Sequence, residues 1–263
     1  MASGGVRGAS AKEVAALFAS ATPEELTELA ERYREDPRRQ VVHAREAALR
    51  RATKEQAERD RVLGMYALQQ SIAGGGVAIG VDEVGRGAIA GPLTVGAVVL
   101  PDEPVVWGIN DSKQLTPARR EVLAARIAEV AVAIGIAHIE PAAIDAVGMA
   151  TALRMAMAQA IDQCGIDPDA VIIDGNPVHV HPRERNVVKG DAAVACIAAA
   201  SIVAKVTRDE LMVALDDEYP GYHLATCKGY ASAEHIEAIR ERGLSKIHRV
   251  SFCGNFLETP RLF

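Results

Sequence analysis

The chain has 263 residues, 49% hydrophobic and 24% charged, with 22 Gly and 12 Pro, a globular composition that excludes wholesale disorder and collagen-like structure. The formal net charge of −6 is uneven, with 12 basic against 11 acidic side chains in residues 1–75 and 17 against 24 in residues 76–263. The acidic body argues against a protein that grips nucleic acid by bulk charge, but not against carboxylates that hold divalent cations.

No apolar run approaches the ~20 residues of a membrane span, and MASGGVRGAS lacks an apolar signal-peptide stretch. Cys164, Cys196, Cys227 and Cys253 show no C-x-x-C spacing, which favours reduced thiols and a cytoplasmic location over a disulfide scaffold or zinc module.

In chain order, residues 1–75 read as a helical N-terminal extension. Thr22-Pro23-Glu24-Glu25 predicts a capping box with Pro at the first helical position. Asp36-Pro37 predicts a second start, followed by a long helix over 37–70. From Asp36 to Arg61 this segment holds eight basic and five acidic residues; it suits either a solvated surface or an arm that touches nucleic acid. Ser71 to Gly76 (SIAGGG) predicts the boundary to a second domain over 76–263.

That second part alternates strands and helices. Apolar runs predict strands at Val77–Val81, Thr94–Leu100, Gly135–Ile139 and Ala170–Ile173. Helices are predicted from Thr116 to about Ala133, from Met149 to Cys164, from Asp191 to about Glu218, and from Ser232 to Gly243. The pattern is that of an α/β or mixed sheet.

Carboxylates fall where regular backbone is expected to stop. Asp82 and Glu83 follow the first strand, Asp174 ends the Ala170 strand, and Asp191 opens the Ala-rich helix. Sites gather at the carboxyl ends of strands in open sheets, and convergent carboxylates suit Mg²⁺ or Mn²⁺. Each has an ordinary alternative: Asp before Gly is a turn residue and Asp at a helix start is an N-cap. Adjacent strand residues also point to opposite faces, so Asp82 and Glu83 share one site only if the strand ends or bends there. Gly85-Arg86-Gly87 offers an open backbone and one cation for a sugar–phosphate chain.

These segments together resemble prokaryotic ribonuclease HII. DEVGRGAIAGP (Asp82 to Pro92), NDSKQL (Asn110 to Leu115), IDGN (Ile173 to Asn176), VKGD (Val188 to Asp191), AASIVAKVTRD (Ala199 to Asp209), KGY (Lys228 to Tyr230) and HRVSF (His248 to Phe252) follow one another in family order across about 77–255. The resemblance implies a ribonuclease H-like α/β fold, a mixed sheet flanked by helices, with a helical C-terminal part. It implies an endonuclease that cuts RNA in RNA–DNA hybrids, and cuts 5′ of ribonucleotides embedded in duplex DNA, leaving 3′-hydroxyl and 5′-phosphate ends. It carries two divalent ions, Mn²⁺ or Mg²⁺, onto Asp82, Glu83, Asp174 and Asp191. It carries reading of the ribose 2′-hydroxyl onto Gly85, Arg86 and Gly87, a phosphate contact onto Lys113, and packing on the sugar beyond the cut onto Tyr230. Ser201, Lys205 and Arg208 lie in a family motif without individual roles. The expected partners are hybrid and ribonucleotide-containing duplexes, with no membrane, for a monomer. Ser232 stands where the family usually has Thr, and Ala192 where many members have Ser. Arg86 separates the chain from the ribonuclease HIII group, which tends to carry lysine there.

Other residues are expected to be structural. His179 and His181 read as an exposed loop between Asn176 and Arg185, since no further ligand sits at metal spacing. His248 reads as structural or near the site. Tyr219 and Tyr222 read as packing, Met149, Met155 and Met157 as core fillers, and Cys196 as buried and inert. Two other functions compete: an inactive nucleic-acid binder that keeps the fold, and a nuclease of the same fold acting on branched DNA.

Overall fold

The computed structural model describes residues 8–257. The chain forms one compact unit up to Arg61 and another from Val62.

The first unit contains α1 (Ala11–Ser20), α2 (Pro23–Arg32) and the first turns of α3 (Arg39–Ala73). Capping boxes open α1 (Ser10 with Glu13) and, as the sequence predicts, α2 (Thr22 with Glu25). Val14, Phe18, Leu26, Tyr33, Val41 and Ala48 make its core, with Phe18 edge-on to Tyr33 at 6.1 Å. Asp36 is taken up by Arg38, 2.6 Å away, whose hydrogen bonds hold the Asp36 carboxyl down to about 2. The helix then begins at Arg39 and runs unbroken to Ala73.

The second unit is built on a five-stranded sheet, β1 (Ala78–Val84), β2 (Leu93–Val99), β3 (Ala133–Ile139), β4 (Ala170–Asp174) and β5 (Glu184–Val187), in the order β3-β2-β1-β4-β5. The pairs β1/β2 and β2/β3 are antiparallel, while β1/β4 and β4/β5 are parallel. This is the mixed sheet that the family resemblance implies.

Between β2 and β3 lies α4 (Pro117–Val130), and between β3 and β4 lie α5 (Pro141–Val147) and α6 (Met149–Gln163). After β5 come α7 (Ala195–Glu218), α8 (Leu224–Cys227), α9 (Ala233–Arg242) and α10 (Val250–Leu257), the helical C-terminal part.

Strand alternation sorts the sheet into two apolar faces. Ile79, Val81, Val95, Ala97, Val171 and Ile173 pack with Leu153 and Met157 of α6. On the other face the Ala-rich start of α7 lies against backbone. A Cβ at Gly80 would stand 2.1 Å from the Cys196 carbonyl carbon, and one at Gly96 would stand 2.7 Å from the Ala200 oxygen. A third cluster, including Ile89, Met212, Tyr222, Leu224 and Ile239, fills the C-terminal part.

Four expectations are corrected. The first strand does not stop at Val81, because pairing with β2 continues through Val84↔Thr94 and keeps Asp82 and Glu83 inside β1. Asp191 is not the N-cap of the Ala-rich helix. Lys189 takes a left-handed conformation (φ 58°), a 3₁₀ turn spans Gly190–Ala192, and the cap of α7 is Val194. The expected loop between Asn176 and Arg185 runs at its end into β5. Met155 is 39% exposed, whereas Met157 is core.

Candidate active site

The carboxyl ends of β1 and β4 bring carboxylates together. Gly80 pairs with Ile172 in parallel register, so Asp82 and Asp174, each two residues on, lie on the same face, the one covered by α7. Asp82 is buried and accepts the Glu83 N–H at 2.8 Å. The Ser201 hydroxyl of α7 lowers the Asp82 carboxyl against the other influences on it and meets the buried Ser112 hydroxyl at 2.9 Å.

Asp174 Oδ1 accepts the Gly190 N–H at 2.6 Å. Glycine leaves room there, since a Cβ would stand 2.5 Å from Ile197 Cδ1 and that side-chain end would have to move. That bond carries the 3₁₀ turn, and with it the buried Asp191, to the end of β4. Lys113 Nζ stands 3.9 Å from Asp191 Oδ2 with its side chain 80% exposed. It is held by a tight turn in which Asp111 accepts the Lys113 N–H at 2.9 Å.

Glu83 follows Asp82 within β1, and its Oε1 lies 3.4 Å from Arg86 Nη1. Its carboxyl feels the charge of Asp174 and adds to the rise of Asp82, so it borders the cluster.

The electrostatics are those of crowded anions. Burial pushes the Asp82 carboxyl up to about 8 against the Ser201 hydrogen bond, with the charges of Glu83 and Asp174 adding to the rise. Glu83 is raised by burial, opposed by Arg86. Asp191 is raised by burial and by Asp111 and Asp174, opposed by Lys113. Burial pulls Lys113 down, but Asp111, Asp191, Asp82 and Asp174 together carry it above its ordinary value. Asp111 is a member of this charge group that the sequence reading passed over, although it stands beside Lys113 in the NDSKQL segment.

Among the described residues no three metal-ligating side chains close into a ready-made cage. The donor set nevertheless fits a hard cation. Crowded, mutually repelling carboxylates only partly offset by Lys113 and Arg86 favour a divalent ion with oxygen ligands.

A second constellation adjoins β1. Gly85 has φ +85°, and a Cβ there would stand 2.2 Å from Arg208 Nε. At Gly87 nothing lies within 4 Å of a Cβ position, so glycine there leaves the loop's outer face open. Two fully buried arginines hold the loop. Arg208 of α7 donates to the carbonyls of Pro92 (3.0 Å), Lys228 (2.8 Å) and Ala90 (3.2 Å). Arg249 donates to those of Gly85 (2.8 Å), Arg86 (3.1 Å) and Gly91 (2.8 Å).

Gly229 carries Tyr230 to this loop. Its carbonyl accepts the N–H groups of Ile89 and Ala90 at 2.9 and 3.1 Å, and a Cβ on it would stand 2.2 Å from the Ala90 oxygen. The half-open Tyr230 ring lies 5.7 Å from the Arg208 guanidinium. The arginine clamp is the part that sequence reasoning missed. Its trace was the AASIVAKVTRD segment, whose Lys205 instead pairs with Asp209 at 2.7 Å.

The remaining candidates lie apart from both groups. His179 and His181 flank a turn whose Val178, His179 and Val180 N–H groups converge on Glu184 at 2.8–3.1 Å. Tyr222 is buried and its hydroxyl donates to the Gly243 carbonyl at 2.8 Å. Burial pushes the Cys196 thiol up to about 12.

Known proteins resemble this arrangement along the chain. The family model for ribonuclease HII matches residues 79–255, and that for the ribonuclease HII N-terminal domain matches residues 10–73. A ribonuclease HII of Listeria monocytogenes is 47% identical over 173 residues, 66% of each chain, so the match spans about two thirds of that relative. A ribonuclease HII of Moorella thermoacetica is 47% identical over 198 residues, 74% of this chain and 96% of the relative. The crystal structure of ribonuclease H2 from Pyrococcus horikoshii superimposes with a TM-score of 0.58 at 27% identity, over 66% of this chain and 93% of that one.

Proposed function

The chain belongs to the ribonuclease HII family, and with it to the ribonuclease H enzymes; we propose that it hydrolyses the RNA strand of RNA–DNA hybrids and cuts 5′ of ribonucleotides embedded in duplex DNA, leaving 3′-hydroxyl and 5′-phosphate ends. The observation that carries this reading is the convergence of Asp82, Asp174 and Asp191 at the ends of β1 and β4, with Glu83 at its border. These four residues would hold two divalent cations, Mg²⁺ or Mn²⁺. When bound, such ions supply Lewis-acid chemistry, making water a better nucleophile and stabilising the oxygens of a phosphoryl displacement.

The chain's own residues do the rest. Ser201 and the Glu83 N–H orient the Asp82 carboxylate, and Gly190 orients that of Asp174. The exposed Lys113 ammonium meets a substrate phosphate. The peptide groups of Gly85, Arg86 and Gly87 meet the 2′-hydroxyl, the group that separates RNA from DNA. Tyr230 lays its half-open ring on the neighbouring sugar.

Residues 1–75 act as a helical extension to a catalytic part spanning 76–263. The enzyme works as a monomer in the cytoplasm, in keeping with its four unpaired cysteines. No helix among the described residues is long and apolar enough to cross a membrane.

The test is cleavage of a labelled duplex holding one ribonucleotide, beside an all-DNA control, with Mg²⁺, Mn²⁺ or EDTA. One metal-dependent cut 5′ to the ribonucleotide is expected. No cut with either ion by a folded protein overturns the reading in favour of an inactive binder, and cleavage of an all-DNA junction points to the branched-DNA alternative.

A further inference from the structure

A row of buried polar groups leads away from Tyr230, and the proposed chemistry does not use it. His235 of α9 and His248 are both almost wholly buried, and their Nε2 atoms are 3.1 Å apart. His248 Nδ1 accepts the Ser245 N–H at 3.0 Å, with the Ser245 hydroxyl also 3.0 Å away. His235 Nδ1 lies 2.9 Å from the Tyr230 carbonyl oxygen.

Both ends of this row are main-chain groups with fixed roles, because an N–H only donates and a carbonyl only accepts. The Ser245 N–H requires a bare Nδ1 on His248. A neutral His248 then carries its proton on Nε2 and donates to His235. His235 therefore accepts at Nε2 and carries its proton on Nδ1, which is the donor that the Tyr230 carbonyl requires. The two ends are set independently and agree on one assignment.

The surroundings fit it. Burial raises the Cys227 thiol and keeps it protonated, and its sulfur lies 3.8 Å from the Tyr222 carbonyl, the S–H acceptor. The sulfur lone pairs are then free to face the His235 Nδ1–H, 3.4 Å away.

We infer that Ser245, His248 and His235 form a neutral, one-way hydrogen-bond relay that fixes the backbone of Tyr230, so that both histidines are positioning residues for the sugar-facing ring. This rests on the reading of Tyr230 as a substrate contact. The relay also reaches the other reader of the sugar. His248 pairs with Ala90 as an isolated bridge, Gly91 donates to the Ile247 carbonyl at 2.8 Å, and Arg249 donates to the Ile89 carbonyl at 2.8 Å. A single buried row thus ties Tyr230 to the segment that follows Gly85-Arg86-Gly87.

The first test is ¹⁵N side-chain NMR of the histidines in the full chain at pH 7. The expected result is two different neutral tautomers, Nδ1–H at His235 and Nε2–H at His248. The same tautomer at both, or a charged ring at either, overturns the relay. This measurement needs no variant and no activity.

The second test is kinetic. His235→Ala is expected to lower kcat/KM on a single-ribonucleotide duplex about fivefold more than on a long hybrid, the scale of one hydrogen bond. His235→Asn, which keeps an amide donor, is expected to recover most of the loss. In a Tyr230→Ala background His235→Ala is expected to add nothing further. Equal losses on both substrates, or losses that add to those of Tyr230→Ala, overturn the positioning role. If Tyr230→Ala itself does not distinguish the substrates, the reading of Tyr230 fails while the tautomers still decide the relay.

Discussion

At the ends of β1 and β4, buried carboxylates crowd one another with few partners, whereas beside the Gly85 loop two buried guanidiniums are saturated by carbonyl oxygens. Both regions take charge out of water, which is costly unless it is compensated. Arg208 and Arg249 are compensated by main-chain acceptors, seven hydrogen bonds to six carbonyls, Gly91 accepting two of them. Burial lowers Arg249 to about 10, with Arg208 adding to the effect, and leaves it charged at neutral pH. Asp82 is instead driven up to about 8 by burial and by its neighbours. A charge that serves the fold is satisfied inside it, while a charge kept for a ligand stays short of counter-charge until the ligand arrives.

The strongest way to break this comparison is Asp82→Asn. It is expected to lower kcat by about three orders of magnitude, the scale of lost transition-state charge stabilisation. Thermal unfolding should stay at or above the parent temperature, since a repelled buried carboxylate is removed. Near-normal turnover would sink the site assignment, and a large drop in Tm would mean that the carboxylate serves the fold.

Arg249→Met should behave in the opposite way. It strands the buried carbonyls of Gly85, Arg86 and Gly91, at a cost of about 3–5 kcal/mol or about 10 °C in Tm. An unchanged melting curve would contradict the clamp.

A smaller effect is expected from ions and pH. The folded pKa of Asp82 lies above its unfolded value of 3.8, so without ions its contribution to stability is full below the unfolded value and is lost as pH rises through about 8. Millimolar Mg²⁺ or Mn²⁺ should reverse this loss, stabilising the protein by about 1–3 kcal/mol, and more at pH 8.5 than at pH 6.5 because protons compete for the same carboxylates. Calorimetric melts at both pH values with and without the ion decide it, and a larger ion effect at the lower pH would refute the cation site.

The smallest effect concerns Ser232, whose hydroxyl caps α9 by accepting the His235 N–H at 3.2 Å. Ser232→Ala should cost about 1 kcal/mol and lower Tm by a few degrees. Ser232→Thr should keep the cap and the parent Tm, and a melt unaffected by Ser232→Ala would leave the hydroxyl without that role.

Much of the carboxylate region was legible because its parts are local. Asp174 ends a short apolar run, Asp82-Glu83 follows another, and the ordered motifs name a family. The errors also have local causes. Asp191 looked like an N-cap because it precedes alanines, but the left-handed Lys189 and the Gly190 bond to Asp174 spend it on a 3₁₀ turn. The strand Glu184–Val187 carries no apolar alternation, and its pairing with β4 supplies what its composition does not. The arginine clamp was least legible, since a charged residue in a helix or loop reads as surface until the carbonyls that surround it are known. The His235–His248 row has the same character, as two residues 13 apart meet only once α8, α9 and the His248 segment have converged.

The close seating of α7 on Gly80 and Gly96 has a further consequence. Ser201, which acts on the Asp82 carboxyl, and Arg208, which clamps the segment after the Gly85 loop, are seven residues apart on that helix. Seven residues are almost two full turns, so both side chains leave the same side about 10 Å apart. The helix is therefore a ruler, with one mark at the proposed point of cutting and the other at the proposed point of reading. Pressed onto bare backbone, it has no room to slide. An insertion of one residue between the two marks would swing Arg208 by about 100° and take its guanidinium from the carbonyls it clamps while Ser201 stayed beside the carboxylates.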